Sequence, residues 1–211
     1  MATCASCKVF ACRSGHLELA PENCPMRDGD VTNTRSFLSD PVLREMARES
    51  ALVEAEGYCR WTRVEETMEF AHKMGYKRLG IAFCVGLREE ANLLLHVLEG
   101  NGFEVASVAC KNGSIPKEEL DIADSQKVRP GTYEPVCNPI GQAAVLNKDE
   151  TDFNIVFGLC VGHDTLFIKH SDAPVTCLVA KDRATGHNPV AALYGSRGYF
   201  KKRLYEEHRP Q

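Results

Sequence analysis

The 211-residue sequence predicts an α/β fold: a small, open, mostly parallel sheet flanked by helices, preceded by an N-terminal cysteine-rich metal-binding segment. Three observations carry this prediction. Apolar runs of strand length recur along the chain, at "RLGIAFCVGL", "FEVASVAC", "FNIVFGLC" and "PVTCLVA". Segments of helical periodicity separate them, and such alternation favours parallel strands joined by right-handed crossovers. The first 36 residues lack periodic hydrophobicity, yet hold four of the ten cysteines.

Residues 1–36 contain the breakers Gly15, Pro21, Pro25 and Gly29 and too little apolar surface for a core, so metal ligation is expected to organise them. The remainder, 37–211, reads as an α/β domain with two leading helices. The first begins at "SDPVLREMARESALVEAEG", with Asp40 as N-cap, Pro41 at the first helical position, and Leu43, Met46, Ala47 and Ala51 at helical spacing. In the second, "TRVEETMEFAHKMG", Thr62 and Glu65 form a capping box, Val64, Met68 and Ala71 make the inner stripe, and Gly75 ends it. The first strand then follows at "RLGIAFCVGL", a continuous apolar run of the kind covered on both faces. Beyond it come a helix at "REEANLLLHVLEGNG", the strand "FEVASVAC", and a polar stretch at 111–136 with a short helix at "PKEELDIADS". The helix "NPIGQAAVLNKDE", the strand "FNIVFGLC", the short helix "GHDTLFIKHS" and the strand "PVTCLVA" complete the pattern. The tail starts helical at "NPVAALYG" and ends polar. The whole reads as a Rossmann-like sheet without internal repeats or low-complexity tracts.

Composition narrows the function. A net charge of −4 and 26% charged residues offer no basic stripe for nucleic acid. No apolar run approaches the length of a membrane span, and the first residues lack the pattern of a secretory signal, so a cytoplasmic location is expected. Disulfides rarely persist there, so clustered thiols read as metal ligands or redox groups.

The opening motif is Cys4-x2-Cys7-x4-Cys12-x11-Cys24-Pro25. The Cys-x2-Cys pair lets two thiolates reach one metal from a tight turn, and four thiolates complete a tetrahedral zinc site or an iron–sulfur cubane. The long gap before Cys24 suits zinc modules poorly, and Cys-Pro matches the last ligand of ferredoxin-type runs. Iron–sulfur is the first reading and zinc the second, with His16 an alternative fourth ligand.

A second constellation follows from topology. Cys84, Cys110 and Cys160 end the first three strands, and Cys137 precedes a helix. Strand carboxyl ends of a parallel sheet share one edge, where ligands bind and helix N-termini lower thiol pKa values. Cys84, Cys137 and Cys160 are therefore candidates for a second cluster, with Cys110 a fourth member that could equally pack in the core. Cys177, mid-strand, and Cys59, near a helix end, read as core cysteines, and His96 as a packed helix residue. His163 and Asp164 open a helix at the same edge, where Asp164 is as good an N-cap as an acid. Lys181, Asp182, Arg183 and His187 follow the fourth strand and could border the crevice as catalytic or anion-binding groups, although a solvated loop is the ordinary explanation. There is no glycine-rich phosphate loop and no Ser–His–Asp arrangement.

With "CASC…C…CP", "CNPIGQA", "GLCVGHD" and "VAKDR…HNP" in place, the chain resembles a prokaryotic family of cysteine-rich predicted metal-binding proteins of unknown function. The resemblance spans most of the length and implies metal binding through the N-terminal cysteines, without a substrate. A more distant analogy, in chemistry alone, is to cluster enzymes that hold one open iron with three cysteines on such a sheet. Two readings follow. One is an iron–sulfur protein with one or two clusters, a redox carrier or a cluster-dependent redox or sulfur-chemistry enzyme, meeting a small anionic substrate or a redox partner. The other is a non-catalytic zinc protein whose α/β domain binds an anion or a protein. Metal-free thiol redox chemistry is a weaker third, because no Cys-x-x-Cys sits in a thioredoxin-like context.

Overall fold

The computed structural model describes residues 3–205. The chain forms two compact units, Met1–Tyr58 and Cys59–Gln211.

The first unit is built from short turns and one long helix. Helix α1 is Ala11–Ser14, α2 is Gly29–Asn33 and α3 is Pro41–Gly57, with 3-10 turns at Cys4–Ser6, Leu17–Leu19, Pro25–Arg27 and Thr34–Ser39. Polar clamps hold the turns. The Arg27 guanidinium donates to Ala20 O (2.6 Å) and Pro21 O (3.2 Å), and Asn23 Nδ2 donates to Thr3 Oγ1 (2.7 Å). Asp40 caps α3 by accepting from the amides of Val42 and Leu43, with Pro41 at the first position. The buried positions of α3 are Glu49, Val53 and Gly57, and of the apolar residues at helical spacing Leu43 is exposed. Glu49 is buried and pairs with Arg48, which is how a carboxylate comes to lie among them.

The second unit opens with α4 (Arg63–Lys73), whose capping box joins Thr62 and Glu65 reciprocally. Strand β1 (Arg78–Phe83), α5 (Arg88–Gly100), β2 (Glu104–Ala109), α6 (Pro139–Lys148), β3 (Phe153–Phe157), α7 (His163–His170) and β4 (Val175–Val179) follow. The chain then forms α8 (Val190–Tyr194) and α9 (Lys201–Tyr205). All strand pairings are parallel, in the order β2-β1-β3-β4, so the sequence-predicted α/β class is the one found.

Strand alternation divides the core. Leu79, Ile81, Phe153, Ile155 and Phe157 face one side and pack with Ala71, Ala91, Leu94 and Leu98 of α4 and α5. Ala82 and Val156 face the other, with Ala143 and Leu146 of α6 and Phe167 of α7. Gly80 lies on this second face, where a Cβ would stand 2.0 Å from Asn154 Oδ1. The fully buried Asn154 needs that room for its bonds from Thr151 Oγ1 and to Ser171 Oγ, both 2.8 Å.

The polar stretch at 111–136 is an ordered excursion. In place of the expected helix it carries 3-10 turns at Lys117–Leu120 and Asp124–Gln126 and an antiparallel bridge between Pro116 and Pro135. At its centre the buried ammonium of Lys127 pairs with Glu118 and Asp124 and donates to Thr132 O.

Candidate functional site

The order β2-β1-β3-β4 reverses direction between β1 and β3, the place where open parallel sheets leave a crevice at their carboxyl edge. Cys84 follows β1 and continues its ladder, donating its amide to Phe157 O (3.1 Å). Cys110 follows β2 in the same way, its amide on Phe83 O at 2.9 Å. Cys137 lies one residue before the cap of α6, and the amide of that cap, Asn138, reaches Cys110 O at 2.7 Å. Cys160 sits between β3 and α7, where its carbonyl receives the amides of His163 and Asp164.

The thiols of Cys84 and Cys137 each interact with that of Cys110, which stands between them. Topology alone groups Cys84, Cys137 and Cys160 at this edge, with Cys110 the least certain member. In the structure Cys110 is the central member, 2% exposed, and Cys160 is tied to the group through Arg183, whose Nη2 lies 3.4 Å from its sulfur.

The electrostatics divide the protons unevenly. The hydrogen bond from Cys110, with the Gly86 amide and the charges of Lys181 and Arg183, brings the Cys84 thiol down to about 5 against the effect of burial. Cys137 falls to about 6, again chiefly through Cys110, helped by Lys111 and His163. Cys110, bonded to Cys137 and Cys84 and buried, is pushed strongly up. The Val85 amide donates to the Cys110 sulfur at 3.3 Å. Arg183 is held up by Cys160 and feels the charges of Cys84 and Cys137 as well.

The loop carrying these cations is preset. Asp182 Oδ1 accepts from the amides of Ala184 and Thr185, and its own amide donates to His187 Nδ1 at 3.1 Å. His187 adopts φ 68° to close the turn. Asp182 and His187 thus shape the loop, whereas Lys181 and Arg183 face the thiols. His163 starts α7 and contributes its field at Cys137. Asp164 is not the cap of α7, which is Gly162; its carboxylate accepts from the Thr165 amide and acts electrostatically on Cys177.

Two participants were not anticipated from the sequence: Lys111 and Asn112. Lys111 donates to Pro135 O and supports the Cys137 thiolate. Asn112 Nδ2 donates to Ala109 O and Asn138 O, and its Oδ1 accepts from Asn138 Nδ2 at 3.1 Å, so the loops after β2 and before α6 are clamped together. Gly141 permits this approach, because a Cβ there would lie 2.2 Å from Asn112 Oδ1. An asparagine two residues after a strand-end cysteine was the available signal. Cys59, Cys177 and His96 are exposed rather than packed, with His96 set against Glu99.

In the first unit, Cys4, Cys7 and Cys24 line one cavity of about 210 Å³ with Thr3, Asn23 and Lys8. Cys12 is exposed on α1, and His16 bonds to Glu18. Among the described residues, no group of three or more His, Cys, Asp and Glu side chains is arranged as a ligand set for a metal ion. No helix among them is long and apolar enough to cross a membrane.

The fold and the edge thiols define an open parallel α/β protein with cysteines along the carboxyl edge of its sheet. The chain belongs to the DUF1847 family, described as proteins of unknown function, whose match spans residues 24–178. That span includes Cys24 and the four edge cysteines and leaves out Cys4, Cys7, Cys12, Lys181 and Arg183. An uncharacterised protein of Methanocaldococcus jannaschii, MJ0455, is 47% identical over 162 residues, covering 77% of this chain and 81% of its own. Neither description assigns a metal or a reaction. No solved structure matches the chain.

Proposed function

We propose that this is a metal-binding protein of the iron–sulfur type whose working centre is held by the edge cysteines Cys84, Cys137 and Cys160, with Cys110 as the fourth thiol. The observation that carries the reading is the gathering of Cys84, Cys110 and Cys137 at the carboxyl edge of the sheet, with Arg183 beside the Cys160 sulfur. Thiols held low, as those of Cys84 and Cys137 are, give soft ligands, which suit iron–sulfur clusters and zinc and are poor ligands for hard cations. A cluster bound there would supply one-electron redox capacity, or a Lewis-acidic iron where a thiol ligand is lacking.

The chain's own residues do the rest. Lys181, Arg183, Lys111 and His163 offset the negative charge of the thiolates, and the Val85 and Gly86 amides donate to sulfur. The same cations would meet a small anionic substrate or an acidic redox partner approaching the edge. Cytoplasmic, reducing surroundings suit such a centre.

The N-terminal cysteines Cys4, Cys7, Cys12 and Cys24 form the second proposed centre, supported by the shared cavity of Cys4, Cys7 and Cys24. Here zinc is the competing metal, because the few buried residues of this unit favour a structural role.

The test is anaerobic purification followed by visible absorption and iron, sulfide and zinc counts, with reconstitution by iron and sulfide. Cys84→Ser and Cys137→Ser should lose the edge centre and Cys7→Ser the N-terminal one. Reconstituted wild-type protein free of iron and sulfide would end the iron–sulfur reading. Zinc lost only in Cys7→Ser would leave the structural-zinc alternative.

A further inference from the structure

We infer that the basic, aromatic tail of this chain docks on the outer face of α5 of a second copy, so that two copies exchange tails in a closed dimer. The tail is chemically set apart. Residues 184–205 hold Arg197, Lys201, Lys202 and Arg203 and no Asp or Glu, which leaves 21 of the 25 Lys and Arg against 29 Asp and Glu elsewhere. Its aromatic groups stand in solvent: Tyr194 is 83% exposed, Tyr199 85% and Tyr205 69%. The Arg203 guanidinium lies over the Phe200 ring at 5.3 Å, and Tyr199 meets that ring edge-on, so basic and aromatic groups share one surface. Tyr and Arg are the residues that anchor protein interfaces, because each joins a large contact area to a polar tip. Among the described residues, Arg197, Lys201 and Lys202 form no ion pair.

The receiving face lies on α5. Ala91, Leu94 and Leu98 of this helix are buried in the core beside the sheet. Glu89, Leu93 and Val97 recur every fourth residue on the opposite side, where Leu93 is 66% and Val97 42% exposed. A helix apolar on two sides has one left to cover. A cavity of about 550 Å³ opens on that side, lined by Arg88, Glu89, Asn92 and Leu93. Glu89 and Glu90 form no ion pair among the described residues, and together they outweigh Arg88. An acidic start followed by an apolar stripe complements Lys201 and Lys202 followed by Leu204 and Tyr205.

Within one chain neither surface covers the other, since both are exposed. A second copy supplies both complements at once, and outside the tail its charge has the sign that the tail requires. Two reciprocal contacts of tail on helix close with twofold symmetry and leave nothing open for further growth. Together the tail and the α5 face bring roughly the 20–30 residues per partner of a standard interface.

The experiment uses the full chain under reducing conditions, which exclude disulfide-linked pairs through the exposed thiols. Light scattering on a sizing column and sedimentation velocity read the mass over a concentration series. Wild type should pass from 23.4 kDa to twice that mass. One variant, Lys201→Glu with Lys202→Glu, reverses the tail; another, Glu89→Lys with Glu90→Lys, reverses the face. Each alone sets like charge on like charge and should raise the dimer dissociation constant about tenfold or more. Mixed in equal amounts, the two present opposite charges at both contacts, so a heterodimer should return. Circular dichroism checks each fold. Should the α5 variant unfold, Glu89→Gln with Glu90→Gln removes the charges alone and should still weaken the dimer. A wild type that stays monomeric throughout overturns the inference and leaves the tail to a different acidic partner. A dimer that either charge reversal leaves intact overturns it too, as do two folded variants whose mixture stays monomeric.

Discussion

Cys110 shows how a residue's neighbours, rather than its own surroundings, can decide its chemistry. Burial alone would raise all three thiols, yet Cys84 and Cys137 are lowered, each chiefly by its interaction with Cys110, which is raised in turn. Replacing Cys110 by Ala should therefore raise both neighbours, moving the pH midpoint of Cys84 alkylation from about 5 toward the ordinary thiol range. An unchanged midpoint would assign the effect to Lys181 and Arg183 instead. The linked stability has a definite sign. A thiol depressed in the fold stabilises fully above the unfolded thiol pKa, and that contribution is lost as pH falls toward about 5 for Cys84 and about 6 for Cys137. Cys110, raised in the fold, contributes in the opposite sense and loses its share as pH climbs above the unfolded range. Urea melts of metal-free protein should accordingly show Cys84→Ser with a weaker rise in stability between about pH 5 and 8 than wild type. Gly141 makes a simpler prediction. Its Cβ would meet Asn112 Oδ1 at 2.2 Å and Asn138 Nδ2 at 2.4 Å, so Gly141→Ala should lower stability by about 1–3 kcal/mol in denaturant melts and loosen Cys137.

At the scale of elements, parallel topology and cap chemistry were legible because both are local. The Asp40 cap, the Thr62–Glu65 box and the four strand runs each announce themselves within a few residues. The buried side of α3 was not legible, because it includes Glu49, and hydrophobic periodicity cannot score a buried carboxylate. The excursion at 111–136 was opaque for a related reason. Its order comes from Lys127, whose partners Glu118 and Asp124 look in sequence like an ordinary solvated charge run. The Lys127 ammonium joins Glu118, Asp124 and Thr132 O, so Lys127→Met removes all three ties at once and should release this excursion while the sheet persists. Limited proteolysis should then cut within 111–136, and hydrogen exchange should quicken there but not in β1 or β3. Global loss of protection would show instead that the excursion is part of the same cooperative unit. The convergence of Cys84, Cys110 and Cys137 was half legible. Strand ends point to one edge, but which thiol stands in the middle depends on the Asn112–Asn138 clamp, a contact between loops that no periodicity encodes.

For the whole molecule, the division at Tyr58 and Cys59 sets two kinds of stability side by side. The second unit buries continuous apolar clusters on both faces of its sheet. In the first, the buried apolar side chains among described residues are Ala11, Ala20 and Val53, and the turns are held by Arg27 and Asn23. Three small side chains supply little hydrophobic free energy, on the order of 25 cal/mol per Å² of buried apolar surface, against backbone ordering of about 1–2 kcal/mol per residue. If metal at Cys4, Cys7, Cys12 and Cys24 supplies the balance, chelation should act on one unit only. Anaerobic protein treated with a strong chelator and then with trypsin should be cut at Lys8, Arg13, Arg27 or Arg35, while mass spectrometry recovers the sheet-bearing unit intact. Cys7→Ser should give the same pattern without chelator, and Cys84→Ser should not. Equal resistance with and without chelator, in protein that had contained metal, would mean that the turns hold by their polar clamps alone and that the N-terminal thiols serve no structural centre.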